Sequence, residues 1–338
     1  MRPFKYSRAN DASQAVQLAV ANKNAMFLAG GTNLLDLMKE DVERPTELVD
    51  VTRLKFTEIK ASEGGISLGA LAKNTDTANH PLVRQNYPLL TQAILAGASG
   101  QIRNMATNGG NLNQRTRCPY FYDVAMPCNK REPGSGCGAF EGLNRMHAIF
   151  GWSEKCVAVY PSDMAVALAA LDAVVKVSGA SGKERSIAFA DFHRLPGDTP
   201  EKDNNLQPGE LITSIELPKN NFAAKSYYLK VRDRASYAFA LVSVAAALET
   251  DGNTIKQARV AMGGVAHKPW RATEAEKVLA GKAATEAVFI QAAEAEMRNA
   301  KPLEHNRFKV ELGKRAIVRA LLIANGGAAA PQGGASNG

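Results

Sequence analysis

The stretch Ala25-Met-Phe-Leu-Ala-Gly-Gly-Thr-Asn-Leu-Leu35 changes character twice. Ala25 to Leu28 reads as a buried strand, Ala29 to Asn33 as a turn, and Leu34 to Lys39 as a helix-like segment. Gly30 and Gly31 permit positive φ and close backbone approach, so successive N–H groups can converge on an anion. The motif is neither the G-x-G-x-x-G fingerprint nor a P-loop, and as a bare strand-to-helix turn it would need no ligand.

Outward from this point the first fifty residues alternate strand and helix. Phe4-Lys-Tyr6 is strand-like, Asp11 to Val20 has helical apolar spacing behind cap-type Asn10/Asp11, and Glu47 to Val51 is a strand. Strands at Thr57 to Lys60 and Ile66 to Gly69 flank Glu63-Gly64-Gly65, and helical segments run through Ala98. A second glycine loop, Thr107-Asn108-Gly109-Gly110-Asn111, offers the same anion chemistry with hydroxyl and amide side chains. Two such nests in one domain fit a long dinucleotide gripped at its diphosphate, with Asp163 accepting from a ribose hydroxyl.

The chain has 338 residues, 45% hydrophobic and 22% charged, enough for two or three domains each with its own core. There is no run of about 18 apolar residues and no apolar h-region after Met1, so the sequence predicts neither a membrane span nor a secretion signal of its own. The net charge of +8 is spread over short clusters at Arg115/Arg117, Lys130/Arg131, Lys230/Arg232/Arg234 and Lys314/Arg315/Arg319. Without a stripe interleaved with aromatics the chain is not expected to bind nucleic acid; a solvated surface plus a bound diphosphate accounts for the charge.

All four cysteines, Cys118, Cys128, Cys137 and Cys156, fall within 39 residues. Three chemistries compete. Disulfides need an oxidising compartment, which export with a partner would supply. Zinc prefers a C-x2-4-C knuckle, whereas the gaps here are nine, eight and eighteen residues. Four thiolates from a loop rich in Gly and Pro can wrap a 4Fe-4S cube, and Cys118 precedes Pro119. From Gln114 to Ala158 periodicity is lost, which reads as an insertion held by ligands in place of a core.

Beyond it, Ser162-Asp163 caps an amphipathic helix to Leu171, and strands are expected at Ala173 to Val177 and Leu211 to Leu217. From residue 224 strands at Ser226 to Val231, Leu241 to Leu248 and Ile255 to Met262 precede helices Thr273 to Leu279, Ala284 to Asn299 and Asn306 to Ala324. Residues 326 to 338 are a low-complexity tail expected to be disordered. The five histidines, His80, His147, His193, His267 and His305, are dispersed, and no acid–base pair or Ser/His/Asp set is visible.

Phe4-Lys-Tyr6-Ser-Arg8-Ala, Leu28-Ala-Gly-Gly-Thr-Asn-Leu-Leu35, Leu48-Val-Asp-Val51, Ile66-Ser-Leu-Gly-Ala70, Gln101 to Asn111 and Pro161-Ser-Asp163, in that order, resemble the FAD-binding medium subunit of the molybdenum hydroxylases. That family includes xanthine dehydrogenase, carbon monoxide dehydrogenase and 4-hydroxybenzoyl-CoA reductase. The resemblance covers about residues 3 to 325 and looks closest to the flavin subunit of bacterial periplasmic aldehyde oxidoreductases. The cysteine insertion is similar to the extra 4Fe-4S loop of the 4-hydroxybenzoyl-CoA reductase flavin subunit.

The resemblance implies an α+β chain. A two-subdomain FAD-binding fold of the vanillyl-alcohol-oxidase/PCMH type spans residues 1–223, with the insertion at about 114–158. A small C-terminal α+β domain, 224–325, carries a three-stranded antiparallel sheet and helices. It implies FAD held by Leu28, Ala29, Gly30, Gly31, Thr32, Asn33 and Leu34 and by Thr107, Asn108, Gly109, Gly110 and Asn111. Asp163 would bond the adenosine end, Ile212 would line the flavin site and Lys230 would contact the flavin from the second domain, with Tyr237 as a stacking candidate. Cys118, Cys128, Cys137 and Cys156 would ligate a 4Fe-4S cluster, a reading the neighbouring redox cofactor strengthens. The implied partners are a large molybdenum-cofactor subunit and a small 2Fe-2S subunit in a heterotrimer, without membrane attachment. The compartment is periplasmic by co-export with a signal-bearing partner, or else cytoplasmic. Two rivals stand beside this reading: a stand-alone flavoprotein resembling UDP-N-acetylenolpyruvoylglucosamine reductase, and a zinc-stapled interaction module.

Overall fold

The computed structural model describes residues 1–328, so the expected tail lies outside the described residues from Ala329 onward. Three sheets organise the chain. Strands β1 (Lys5–Arg8), β2 (Ala25–Leu28) and β3 (Glu47–Asp50) form a small parallel sheet with β3 in the centre. Parallel neighbours need crossovers, and helices Ala12–Ala21 and Leu34–Lys39 supply them. Central β3 is buried along its length and carries two carboxylates, so edge strand β1 must neutralise them. Ser7 and Lys5 bond Glu47, while Arg8 Nε (2.9 Å) and the Tyr6 hydroxyl bond Asp50. Burial would raise the Asp50 carboxyl, but bonds from Tyr6, Thr52 and Arg8 hold it well below the usual carboxylate range.

The second sheet is antiparallel, in the order β4 (Ile59–Ser62), β5 (Gly65–Gly69), β8 (Leu211–Pro218), β6 (Val174–Ser178) and β7 (Glu184–Ala188). Strand β8 returns from far along the chain to pair β5, Leu68 opposite Ile215, which closes the first domain around one apolar core. The third sheet, β9 (Ser226–Val231), β10 (Val242–Asp251), β11 (Thr254–Gly263) and β12 (Trp270–Arg271), holds the three expected antiparallel strands plus a two-residue edge strand.

Strand β10 joins the domains because both its faces are buried. Val242, Val244, Ala246 and Leu248 pack beneath helices Thr273–Leu279, Glu286–Met297 and Phe308–Ala324. Ala245 and Ala247 face the first domain's core. Small residues on that side let helix Asp163–Ala170 approach closely; a Cβ on Gly263 would lie 2.6 Å from Val166. The expectation of an amphipathic helix here is therefore corrected: every residue of Asp163–Ala170 is buried, with Ser162 Oγ accepting from Ala165 N at 3.0 Å. No helix among the described residues is long and apolar enough to cross a membrane.

Candidate functional site

A cavity of about 700 Å³ opens where the parallel sheet, the second sheet and β9 meet. Residues Leu28 to Leu34 line it without a gap, opposite Thr107, Gly109, Gly110, Asn111 and Ile212, with Asp163 and Lys230 also in its wall. Its volume lies in the upper part of the roughly 300–1,000 Å³ range of ligand pockets.

The first loop turns between β2 and the helix Leu34–Lys39. Gly31 adopts φ +72°, and among the described residues the amides of Gly30, Gly31, Thr32 and Asn33 donate to no backbone carbonyl. Asn33 Oδ1 accepts from the Arg115 amide at 2.8 Å, while Asn33 Nδ2 is buried without a partner. An orphaned donor beside unpaired amides, in a cleft of this size, fits a diphosphate-bearing cofactor. Gly30 answers a different need: a Cβ there would sit 2.1 Å from the Met105 carbonyl oxygen, so its missing side chain lets two backbone segments pass.

The second loop departs from expectation. Thr107 caps a one-turn helix, Asn108–Leu112, its Oγ1 accepting from Gly110 N at 3.2 Å. The amides of Asn108, Gly109 and Asn111 bond Ala72 O, Ala70 O and Thr107 O. A second amide nest is thus corrected to a wall whose N–H groups the protein itself satisfies. Asn108 stands behind that wall, fully buried, bonded to Gly69 O and Thr77. Gly110 faces the cleft, where a Cβ would meet only Thr107 Oγ1.

Asp163 and Lys230 come together. Lys230 Nζ lies 2.8 Å from Asp163 Oδ2 and 3.0 Å from Ala96 O, and the Tyr228 hydroxyl donates to Asp163 Oδ1 at 2.6 Å. Tyr228 was not anticipated, although its position two residues before Lys230 puts both side chains on one face of β9. Tyr237 sits at the mouth, 59% exposed with φ +49°, and the Arg234 guanidinium donates to its carbonyl. Arg145 of the insertion grips this loop with two 2.8 Å bonds to Asp233.

The insertion contains two short helices, Pro119–Tyr122 and Gly138–Glu141, with Cys118 and Cys137 at their starts. All four cysteines are free thiols lining one small cavity, and the backbones of Cys128 and Cys137 pair. Among the described residues no group of three or more His, Cys, Asp or Glu side chains is arranged to hold a metal ion, the four cysteines included. Burial pushes the Cys118 thiol up to about 12 and Cys156 to about 11; amides of Phe121 and Tyr120 on Cys118, and of Ala158 on Cys156, act in the opposite direction. Cys118 Sγ also lies 3.1 Å from His147 Nε2.

A buried ionic clamp joins insertion to cleft, although the basic clusters containing Arg115 and Lys130 read as solvated surface in the sequence. Asp203 takes Lys130 Nζ at 2.5 Å and Arg115 Nε at 2.8 Å, and Arg115 also pairs with Glu43. Burial would raise the Asp203 carboxyl; Lys130 and Arg115 hold it well below the usual carboxylate range. His147, His193 and His267 are buried, which lowers each to about 4, and each leaves one ring nitrogen unpartnered among the described residues.

Unpaired amides at the end of a strand, opening on a cleft of this size, define a protein that binds an anionic ligand such as a cofactor diphosphate. Residues 2–220 match the model of the FAD binding domain in molybdopterin dehydrogenase, and residues 227–324 that of the CO dehydrogenase flavoprotein C-terminal domain. The chain is 52% identical over 322 residues, 95% of itself and 98% of the relative, to the aldehyde oxidoreductase FAD-binding subunit PaoB of Escherichia coli (strain K12). It is 34% identical over 280 residues, 82% of each chain, to the glyceraldehyde dehydrogenase medium chain of Sulfolobus acidocaldarius. The fold is shared with a carbon monoxide dehydrogenase chain of Hydrogenophaga pseudoflava, at TM-score 0.75 and 24% identity over 96% of this chain and 97% of that one. The chain belongs to the family of FAD-binding subunits of molybdopterin dehydrogenases, and it is an oxidoreductase subunit.

Proposed function

We propose that this chain is the FAD-carrying subunit of a molybdenum-dependent aldehyde oxidoreductase. The observation that carries the reading is the cleft in which four unpaired amides and the orphaned Asn33 Nδ2 meet, in a chain 52% identical to an aldehyde oxidoreductase FAD-binding subunit. The amides of Gly30 to Asn33 and Asn33 Nδ2 hold the diphosphate, Gly110 and Asn111 border the ribityl chain, and Ile212 packs against Gly109 in the cleft wall. Bound FAD supplies both pairwise and single-electron transfer, which suits a chain between a molybdenum site and an external acceptor.

The partners in this reading are a large molybdenum-cofactor subunit and a small 2Fe-2S subunit, forming a heterotrimer through which electrons reach the flavin. Cys118, Cys128, Cys137 and Cys156 ligate a 4Fe-4S cluster. Four free thiols lining one small cavity are the donor set of a 4Fe-4S core, and their sequence gaps lack the C-x2-4-C knuckle of structural zinc. Burial raises the thiols of Cys118 and Cys156, and backbone amides at both work against that rise, toward the thiolate. The complex resides in the periplasm by co-export with a signal-bearing partner.

Co-purification with identification of every subunit, flavin, iron and acid-labile sulfide tests the proposal. It requires two partner subunits, one FAD, and about four iron and four sulfide beyond those of the small subunit. Zinc or disulfides in place of that excess overturns the cluster, and robust aldehyde turnover by this polypeptide alone overturns the subunit reading. Cell fractionation tests the compartment: complex recovered only from the cytoplasm refutes export.

A further inference from the structure

His147 stands behind Cys118. It is 2% exposed, its Nε2 lies 3.1 Å from Cys118 Sγ, and its Nδ1 is buried without a partner among the described residues. A neutral imidazole carries one ring proton, and a cysteine bound to iron is a thiolate that can only accept. The proton therefore belongs on Nε2, which leaves Nδ1 a bare lone pair, the cheaper group to leave unpaired. Among the described residues Cys118 is the one cysteine whose sulfur meets a side-chain donor.

Behind the imidazole lies a buried lysine. Lys309 is 0% exposed, and its Nζ donates to His147 O at 2.9 Å and Gly264 O at 2.8 Å. Burial, which two carbonyl dipoles offset only in part, pulls Lys309 from its ordinary value down to about 7. Its bond to His147 O and those of Asn306 Nδ2 to the carbonyls of His147 and Ala148 fix the backbone that carries the ring.

The corner so treated is the one turned toward the flavin cleft. Cys118 and His147 both line a second cavity of about 200 Å³, whose other walls include Ser162, Asp163 and Phe239, residues shared with the cleft. We propose that His147 donates its Nε2–H to the Cys118 sulfur and so raises the reduction potential of the cluster held by the four cysteines. This rests on the reading of those cysteines as ligands of one 4Fe-4S cluster. One-electron reduction adds a negative charge to the cluster; an N–H dipole aimed at one of its thiolates stabilises the reduced form more than the oxidised one. His147 is a tuning residue and not a ligand.

The test uses the assembled complex, with potentiometric titration of the 4Fe-4S signal followed by electron paramagnetic resonance, alongside iron, sulfide and FAD contents. In His147→Phe the ring stays and the donor goes; the equilibrium for cluster reduction falls about tenfold, which is 59 mV for one electron, with metal and flavin contents unchanged. His147→Gln, which restores an N–H, recovers most of the loss. An unchanged midpoint in His147→Phe with full iron content overturns the proposal. A second measurement needs no variant: histidine labelled with ¹⁵N gives a nitrogen coupling at the field of the reduced 4Fe-4S signal, and its absence overturns the proposal even where His147→Phe fails to retain iron. Wild-type complex without the extra iron and sulfide refutes the parent reading, and that count is taken before any variant is titrated.

Discussion

Replacing Asp203 by Asn removes one carboxylate from between two cations. Lys130, whose side chain is 1% exposed, then keeps only the Pro200 carbonyl at 2.7 Å, whereas Arg115 keeps Glu43. Water cannot reach the ammonium, so the loss is that of breaking a buried pair, about 3–5 kcal/mol. Against a total stability of roughly 5–15 kcal/mol this is large, and at about 2–4 °C per kcal/mol it lowers Tm by about 6–20 °C. The effect reaches the cleft because the Arg115 amide fixes Asn33 Oδ1 at 2.8 Å. Thermal unfolding of the purified complex, read by circular dichroism and by release of flavin fluorescence, is therefore expected to show FAD leaving early. The double variant Asp203→Asn/Lys130→Met removes the stranded cation and recovers much of the loss, a coupling that a double-mutant cycle measures directly. A loss under about 1 kcal/mol for the single variant, or a double variant no more stable than the single one, refutes the clamp.

Gly30→Ala and Gly110→Ala separate two uses of glycine. The first drives a methyl into the Met105 carbonyl and lowers stability by about 1–3 kcal/mol through overpacking, while the second leaves Tm of the flavin-free chain near wild type and weakens FAD retention by filling the cleft. Equal behaviour in both assays would contradict this division. Acid is expected to destabilise the chain through Asp203 and Asp50: their folded pKa values lie below the unfolded value of about 3.9, so their contribution is present above it and is lost as pH falls toward the folded values. Stability followed from pH 6 to pH 3 should drop less steeply in Asp50→Asn than in wild type. Tyr228→Phe removes one of the bonds to Asp163 and is expected to lose about 1.5–3 kcal/mol without altering cofactor identity, which denaturant titration and flavin extraction check.

Local patterns were legible in the sequence and long-range pairings were not. Thr273–Leu279 begins and ends at the residues the sequence indicates, and β9, β10 and β11 fall on the three stretches read as strands. Strand β7 escaped because Glu184-Arg-Ser-Ile-Ala188 buries a single apolar side chain, Ile187, on a sheet edge. The turn at Asn108–Leu112 read as a loop because Asn and Gly are poor helix formers. Carbonyls of Ala70 and Ala72, brought in by the tertiary fold, satisfy its first amides and override that propensity. Glu43 and Asp203 carried no signal: they lie 72 and 88 residues from Arg115, and only chain folding brings the three together.

The clamp and the thiols answer one physical problem. The insertion reaches a main apolar core only near its end, through Ile149 and Phe150; in its cysteine-bearing part Phe121 and Cys128 pack with Leu37 and Val42 in a small satellite cluster. Its turns are instead tied by polar groups, with the Arg131 guanidinium gathering the carbonyls of Tyr120, Phe121 and Met126, and Asn129 bonding across to Lys155 O. Such bonds contribute only about 0.5–1.5 kcal/mol each, too little to order a segment of this length against roughly 1–2 kcal/mol of backbone entropy per residue. In the reading proposed above, ligation of the four thiols at one centre makes up the difference in the manner of small metal-folded domains. Because Lys130 follows Cys128 by two residues and Arg115 precedes Cys118 by three, the ligand loop and the clamp cannot loosen separately. Replacing any one of the four cysteines by serine should therefore release flavin as well as iron. Variants that lose the iron but retain full FAD at the wild-type Tm would show that the insertion and the cleft are mechanically independent.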